Sequence, residues 1–184
     1  MKSNIRKLST KEILVQHQRA EAPRLIAQSK VLLHNIRSMH NVGSVFRSCD
    51  AFGVGEVVIT GFTPAPPRPE ITKTAIGAEE FVSWSNPKDV ISYIANCKKE
   101  GYVLIGLEQT TQGTLLPAFE APDNRYLFVL GNEVTGLDEQ LMPFIDVFVS
   151  IPQFGQKHSL NVSVATGVLL YAVLERALEA QNSE

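Results

Sequence analysis

The sequence predicts an α/β domain with a mostly parallel sheet flanked by helices, and two observations carry that expectation. Short apolar runs of strand length alternate with stretches whose apolar residues recur at helical spacing. Polar clusters follow directly on several of the strand-like runs, at the ends where open α/β sheets bind ligands. A chain of 184 residues, 44% hydrophobic and 20% charged, suits one domain that buries its core without disulfides or metals.

Ser9-Thr10-Lys11-Glu12 has the spacing of a capping box and opens a helix to about Ala22, with Pro23 at or just past its end. Lys30 to His34 reads as a strand. Asn35 to Cys49 then places Val42, Val45 and Phe46 at helical spacing, on a helix beginning near Asn41. Glu56 to Thr60 is a second strand. Thr63 to Pro69 holds four prolines in seven residues, which excludes helix and central strand. This stiff exposed loop is either a connector or a pre-ordered edge for substrate, with Arg68 available to a phosphate. Ile71 to Glu80 reads as a short helix, Phe81 to Trp84 as a short strand and Pro87 to Lys99 as a helix. Tyr102 to Leu107, Tyr126 to Leu130 and Asp146 to Ile151 are further strands. Ser159 to about Ala180 is a long final helix, with Leu160, Val164, Val168 and Tyr171 at helical spacing. No internal repeat or low-complexity tract interrupts this plan.

Composition narrows the classes. Cys49 and Cys97 are too few for a disulfide framework or a four-ligand zinc site, so free thiols in a reducing compartment are expected. No run reaches the roughly 18 apolar residues of a membrane helix, and no apolar core follows the basic N-terminus; a cytoplasmic protein is expected. The net charge of −2 is an average of unlike parts: residues 1 to 50 carry nine Lys or Arg and three Asp or Glu, while residues 51 to 184 carry eight and sixteen. A basic front end points to a polyanionic partner such as nucleic acid, or is simply a solvated helix.

Three polar clusters carry the chemistry. In the first, Asn35 to Arg47, the residues Asn41, Ser44 and Arg47 lie along one side of a helix; a helix cap and a surface ion pair are the alternatives for Asn41 and Arg47. The second, Leu130-Gly131-Asn132-Glu133-Val134-Thr135-Gly136-Leu137, places Glu133 in a glycine-flanked turn where backbone groups approach a ligand, or where the acid caps a helix. The third runs from Ile151 through Ser159, which opens the last helix, to Asn161 in its first turn, where a helix N-terminus favours anions and acceptors. The four histidines at 17, 34, 40 and 158 lack ligand spacing, so no metal is expected. GxxxxGK[ST], GxGxxG and GxSxG are all missing, which removes kinases, common dehydrogenases and α/β-hydrolases.

NVGSVFRSCDAFGV, FVLGNEVTGL and IPQFGQKHSLNVSVATGVLLY, in this order, resemble the three motifs of the SpoU family of RNA ribose 2′-O-methyltransferases in the SPOUT superfamily. The resemblance covers about Val31 to Leu174. It implies a catalytic domain over residues 26 to 184 behind a basic helical extension of residues 1 to 25, and an α/β-knot fold with a C-terminal deep trefoil knot, an exception to the usual rule against knots. It implies bent S-adenosylmethionine held by backbone at Leu107, Gly131, Ile151 and Leu160, and a homodimer with the active site at its interface. Tyr171 and the apolar final helix then face a partner, or pack into their own core. By motif matching, Arg47, Asn41, Glu133, Ser159 and Asn161 are the catalytic residues.

A ribose hydroxyl is a poor nucleophile at neutral pH, so methyl transfer requires a base or an oxyanion stabiliser and in-line alignment. Arg47 matches the activating residue, yet a guanidinium with pKa above about 12 offers no lone pair; clamping a phosphate and stabilising the oxyanion is the easier role. The other four orient Arg47, the ribose and the methionine end. Lys2, Arg6, Lys7, Lys11, Arg19 and Arg24 are expected to form an RNA-facing patch. The expected substrate is RNA, tRNA ahead of rRNA; the alternatives are a non-catalytic RNA-binding or assembly module and a methyltransferase for a base nitrogen.

Overall fold

Strands as apolar as Val31-Leu32-Leu33 and Leu127-Phe128-Val129 need cover on both faces of a sheet, because successive side chains point to opposite sides. The computed structural model, which describes residues 5–17, 21–122 and 124–181, supplies that cover. The strands are β1 (Lys30–His34), β2 (Glu56–Thr60), β3 (Trp84–Ser85), β4 (Tyr102–Leu107), β5 (Thr114–Leu115), β6 (Arg125–Leu130) and β7 (Val147–Ser150). Among the described residues these seven form one sheet, ordered β3-β2-β1-β6-β4-β7-β5, with every neighbouring pair parallel. The helices are α1 (Thr10–His17), α2 (Arg24–Ala27), α3 (Met39–Phe52), α4 (Pro69–Ala75), α5 (Val90–Lys99) and α6 (Val162–Gln181).

Alternate strand residues divide the core in two. Val31, Leu33, Val57, Ile59, Tyr126 and Phe128 pack with Ile26, Phe46, Leu169 and Leu170 from α2, α3 and α6. On the other face Leu32, Val58, Leu104, Leu127 and Val129 pack with Ile94 and Cys97 of α5 and with Leu137 and Leu141. The expected α/β architecture with a parallel sheet between helices is therefore present. No described helix is long and apolar enough to cross a membrane.

Local chemistry sets the helix ends, and here several expectations are corrected. The Ser9–Glu12 capping box forms, the Ser9 amide donating to Glu12 Oε2 at 2.8 Å, but Glu21 and Ala22 are not helical. Helix α3 begins at Met39 rather than near Asn41, because Ser38 is its cap and accepts from the Asn41 amide at 3.3 Å. Asn41 is thereby left in the first turn with its side chain free for other partners. Asp89, not Pro87, starts α5, accepting from the amides of Ile91 and Ser92. Ser159 does not open α6: Asn161 Oδ1 accepts from the Ser163 amide at 2.9 Å, so the helix starts at Val162 and Asn161 lies at its cap, before the first turn. The expected helix over Ile71 to Glu80 is α4 followed by a single 3₁₀ turn at Ala78–Glu80, and the strand expected over Phe81 to Trp84 is only β3.

In the proline-rich segment between β2 and α4, Thr63 is buried and Pro64 to Pro66 are half-buried; only Pro67 onward is exposed. Helix α4 crosses α3 at Gly43, where an added Cβ would meet Thr74 Oγ1 at 2.1 Å and the Ile71 carbonyl at 2.2 Å. Only glycine permits that approach, and it lays α4 along the first half of α3.

Candidate active site

The chain leaves β1 toward β2 on one side and leaves β6 toward β7 on the other, so the crevice between the carboxyl ends of β1 and β6 is a topological switch point. Glu133 bridges it. From the turn after β6, its Oε2 accepts the Arg37 amide at 3.0 Å, and its Oε1 accepts the Ser38 amide at 3.1 Å and Asn41 Nδ2 at 2.9 Å. A carboxylate at the start of α3 also satisfies amides that the helix leaves unpaired and complements its dipole. Burial pushes the Glu133 carboxyl up, but the Arg37 amide, Asn41 and the Ser38 amide outweigh it and hold the group below its ordinary value.

Asn41 is fixed at both ends of its amide. Its Nδ2 donates to Glu133 while its Oδ1 accepts from Asn161 Nδ2 at 3.0 Å. Asn161 in turn caps α6. A chain of three side chains thus links the turn after β6, the start of α3 and the start of α6, and each was singled out in the sequence.

The turn holding Glu133 is shaped by its neighbours. Asn132 Oδ1 accepts from the amides of Val134 and Thr135, and its Nδ2 donates to the Asn35 carbonyl at 2.7 Å. Asn35 has a left-handed φ of 58°, a conformation Asn tolerates. Its Oδ1 accepts from the Phe62 amide. His34, almost fully buried, meets Thr60 Oγ1 at 2.9 Å and Asp138 Oδ2 at 3.4 Å. The turn closes on itself between Asn132 and Gly136 so tightly that a Cβ on Gly131 would meet the Gly136 carbonyl at 2.2 Å. Glu108, just past β4, accepts from the Leu137 amide at 2.9 Å and the Gln109 amide at 2.8 Å.

Beside this network lies a cavity of about 420 Å³, and its lining includes Leu107, Gly131, Ile151 and Leu160 together with Glu133 and Ser159. The four backbone positions expected to hold a cofactor therefore share one cavity. Its size falls within the range of small-molecule sites, and the absent side chain at Gly131 lets backbone line it closely. Ser159 is exposed, and its hydroxyl has no partner among the described residues. Glu108, Gln109, Asn132, Gln153 and His158 also line it and were not singled out from the sequence. Glu108 carried the same signal as Glu133, an acid just past an apolar strand.

Arg47 stands apart. It is exposed, has no ion-pair or hydrogen-bond partner among the described residues, and lines a separate groove of about 940 Å³ between α3, α4 and α6 with Ser44, Lys73, Val168 and Tyr171. The stripe expected on the final helix belongs to this outer surface: Val164, Val168 and Tyr171 are exposed, and Leu160 precedes the helix, while Leu169, Leu170 and Val173 face the core. Within one chain, none of Asn41, Glu133, Ser159 or Asn161 bonds to Arg47. Of the basic patch, Lys2 and Arg19 lie outside the described residues; Arg6 pairs with Glu12 at 2.6 Å, and Lys7, Lys11 and Arg24 are exposed. Among the described residues no three His, Cys, Asp or Glu are grouped to hold a metal.

Comparison with known proteins shows which family the chain resembles. Residues 28–171 match the SpoU rRNA Methylase family. The tRNA (guanosine(18)-2′-O)-methyltransferase of Saccharomyces cerevisiae is 32% identical over 135 residues, covering 72% of this chain and 9% of that protein. The 23S rRNA (guanosine-2′-O-)-methyltransferase RlmB of Coxiella burnetii is 30% identical over 176 residues, covering 96% of this chain and 68% of that protein. The chain thus spans less than a tenth of the yeast relative and about two thirds of the bacterial one. The SpoU methyltransferase AviRb from Streptomyces viridochromogenes, solved in complex with the cofactor AdoMet, superposes with a TM-score of 0.72 at 25% identity over 81% of this chain and 57% of that one.

Proposed function

Because this chain belongs to the SpoU rRNA Methylase family, we propose that it is a cytoplasmic enzyme that transfers a methyl group from S-adenosylmethionine to a ribose 2′-hydroxyl of RNA. The observation that carries the proposal is the convergence of Glu133, Asn41 and Asn161 into one hydrogen-bonded chain beside a cavity lined by Leu107, Gly131, Ile151 and Leu160. Related proteins methylate ribose in tRNA and in 23S rRNA, so both RNA classes are candidate substrates, tRNA first. A family relative has been solved with AdoMet bound, and the residues here fit that group: a glycine-shaped backbone turn and a recessed cavity of suitable size. When bound, the cofactor supplies an electrophilic methyl group on a sulfonium.

The chain's own residues supply alignment and charge. Glu133 locks the first turn of α3, and through Asn41 fixes the start of α6, so the two cavity-lining segments, the turn after β6 and the start of α6, hold one geometry before substrate arrives. The Ser159 hydroxyl, without a partner among the described residues, is placed to orient the ribose. Arg47 neutralises charge on the attacking oxygen and clamps the adjacent phosphate; a permanently charged guanidinium suits that role and not proton abstraction.

Arg47 lies outside the cavity in a single chain, beside exposed Val164, Val168 and Tyr171. That placement supports a homodimer in which the groove along α6 packs on a second copy and Arg47 completes the partner's site. Family membership further supports a catalytic domain over residues 26 to 184, a basic extension over residues 1 to 25 that contacts RNA, and a deep trefoil knot in the C-terminal stretch. The test is incubation of the purified protein with labelled S-adenosylmethionine and unmodified tRNA or rRNA, followed by nucleoside mass spectrometry. A 2′-O-methylated nucleoside is expected; label in neither RNA rejects the proposal.

A further inference from the structure

Phe154 is 99% exposed. It lies in the connection from β7 to α6, between Gln153 and His158, which both line the cavity. No other ring stacks on it among the described residues, and the neighbouring Gly155 has open space around it. The loop is held at its base, where Gln109 Nε2 donates to the His158 carbonyl at 2.7 Å. A single exposed ring is ordinary on a protein surface; what sets Phe154 apart is its place, in a tethered loop between two residues that line the cavity.

The charge around it narrows the occupant. From Val147 to Leu174 the sequence contains no Asp or Glu, while Lys157 and His158 follow the ring by three and four residues. Lys157 is exposed and unpaired among the described residues. The cavity's own carboxylates, Glu133 and Glu108, are engaged by backbone amides. An exposed ring beside an unopposed cation is the combination that holds single-stranded nucleic acid, the ring taking a base and the cation a phosphate.

We propose that Phe154 and Lys157 form a nucleotide-binding lip at the cavity mouth, on which an unstacked RNA base lies against the Phe154 ring while Lys157 contacts the backbone phosphate. The proposal rests on the ribose-methylation reading and adds the state of the RNA it acts on. A 2′-hydroxyl reaches a recessed cavity only if its nucleotide leaves the helical stack, and the displaced base or its neighbour then needs a new π surface.

The test uses the full chain and a short single-stranded RNA carrying one 2-aminopurine, whose fluorescence is quenched on stacking. Wild type and Phe154→Trp quench it, whereas Phe154→Ala loses the quench and binds about tenfold more weakly, the size of one lost base–aromatic stack. Lys157→Ala lowers the salt slope of binding by about one. S-adenosylmethionine affinity and sedimentation of Phe154→Ala match wild type. Unchanged RNA binding and quench in Phe154→Ala overturns the proposal. So does a parallel loss of S-adenosylmethionine affinity, which makes the ring a cofactor cover, or a changed oligomeric state, which makes it a contact between copies. Methyl transfer by wild type is measured alongside: its absence rejects the ribose-methylation reading, while the quench and affinity still decide the lip.

Discussion

Glu133 and Asn41, 92 residues apart in sequence, meet at 2.9 Å across the crevice between β1 and β6. That bond fastens the turn after β6 to the first turn of α3, and through Asn161 it reaches the start of α6. The turn after β6 and the start of α6 line the cavity together with the segment after β4, so its shape depends on a few polar contacts.

Removing the Asn41 side chain leaves Glu133 with its two backbone amides but cuts the link to Asn161. Asn41→Ala is expected to lower methyl transfer about a hundredfold or more, as losing a fixed hydrogen-bonding group does in a preorganised site. Calorimetry is expected to find S-adenosylmethionine affinity nearly unchanged. An equal loss of cofactor affinity would assign Asn41 to cofactor binding instead.

Arg47 in the outer groove and Asn41, bonded to cavity-lining Glu133, predict a complementation pattern. Arg47→Ala and Asn41→Ala are each expected to be nearly inactive alone. In a mixed dimer whose sites draw Arg47 from the neighbouring copy, one of the two sites contains both native residues. Random mixing is then expected to restore about a quarter of wild-type transfer. Sites built within one chain give no recovery.

Glu133 also predicts a pH dependence of stability. Its folded-state pKa is lowered, so the carboxylate's contribution is fully present above the ordinary carboxylate range and is lost as pH falls through the lowered value. Urea unfolding at neutral pH and near pH 3 checks the sign. Wild type should lose more stability on acidification than Glu133→Gln, which keeps the shape and lacks the titrating group.

At Gly131 an added methyl group points at the Gly136 carbonyl from 2.2 Å. Gly131→Ala is expected to force the turn open and weaken S-adenosylmethionine binding about tenfold or more, while far-ultraviolet circular dichroism stays that of the native fold. Affinity equal to wild type would show that this backbone does not approach the cofactor.

The longer strands are legible in sequence because both sheet faces are buried, which makes each a largely apolar run; the run Tyr102–Leu107 coincides with β4 to the residue. Helix starts were harder. Asn41 and Ser159 each looked able to begin a helix, but Ser38 and Asn161 hold the better positions, and cap selection depends on side-chain geometry that spacing alone does not reveal. Two-residue strands such as Thr114–Leu115 are too short to carry a period. On α6, apolar residues occur on both sides, so helical spacing could not tell exposed Val164, Val168 and Tyr171 from buried Leu169 and Leu170. Of the five candidate catalytic residues that motif matching gives, Glu133, Asn41 and Asn161 join in one hydrogen-bonded chain, and Glu133 and Ser159 line the cavity. The separation of Arg47 from them was beyond sequence, because it follows from how α4 and α6 flank α3.

The most direct measurement is nucleoside mass spectrometry of RNA after incubation of the purified chain with isotopically labelled S-adenosylmethionine. The account predicts label on a ribose 2′-oxygen, abolished by Arg47→Ala. Label on a base nitrogen, or none in either tRNA or rRNA, would contradict it.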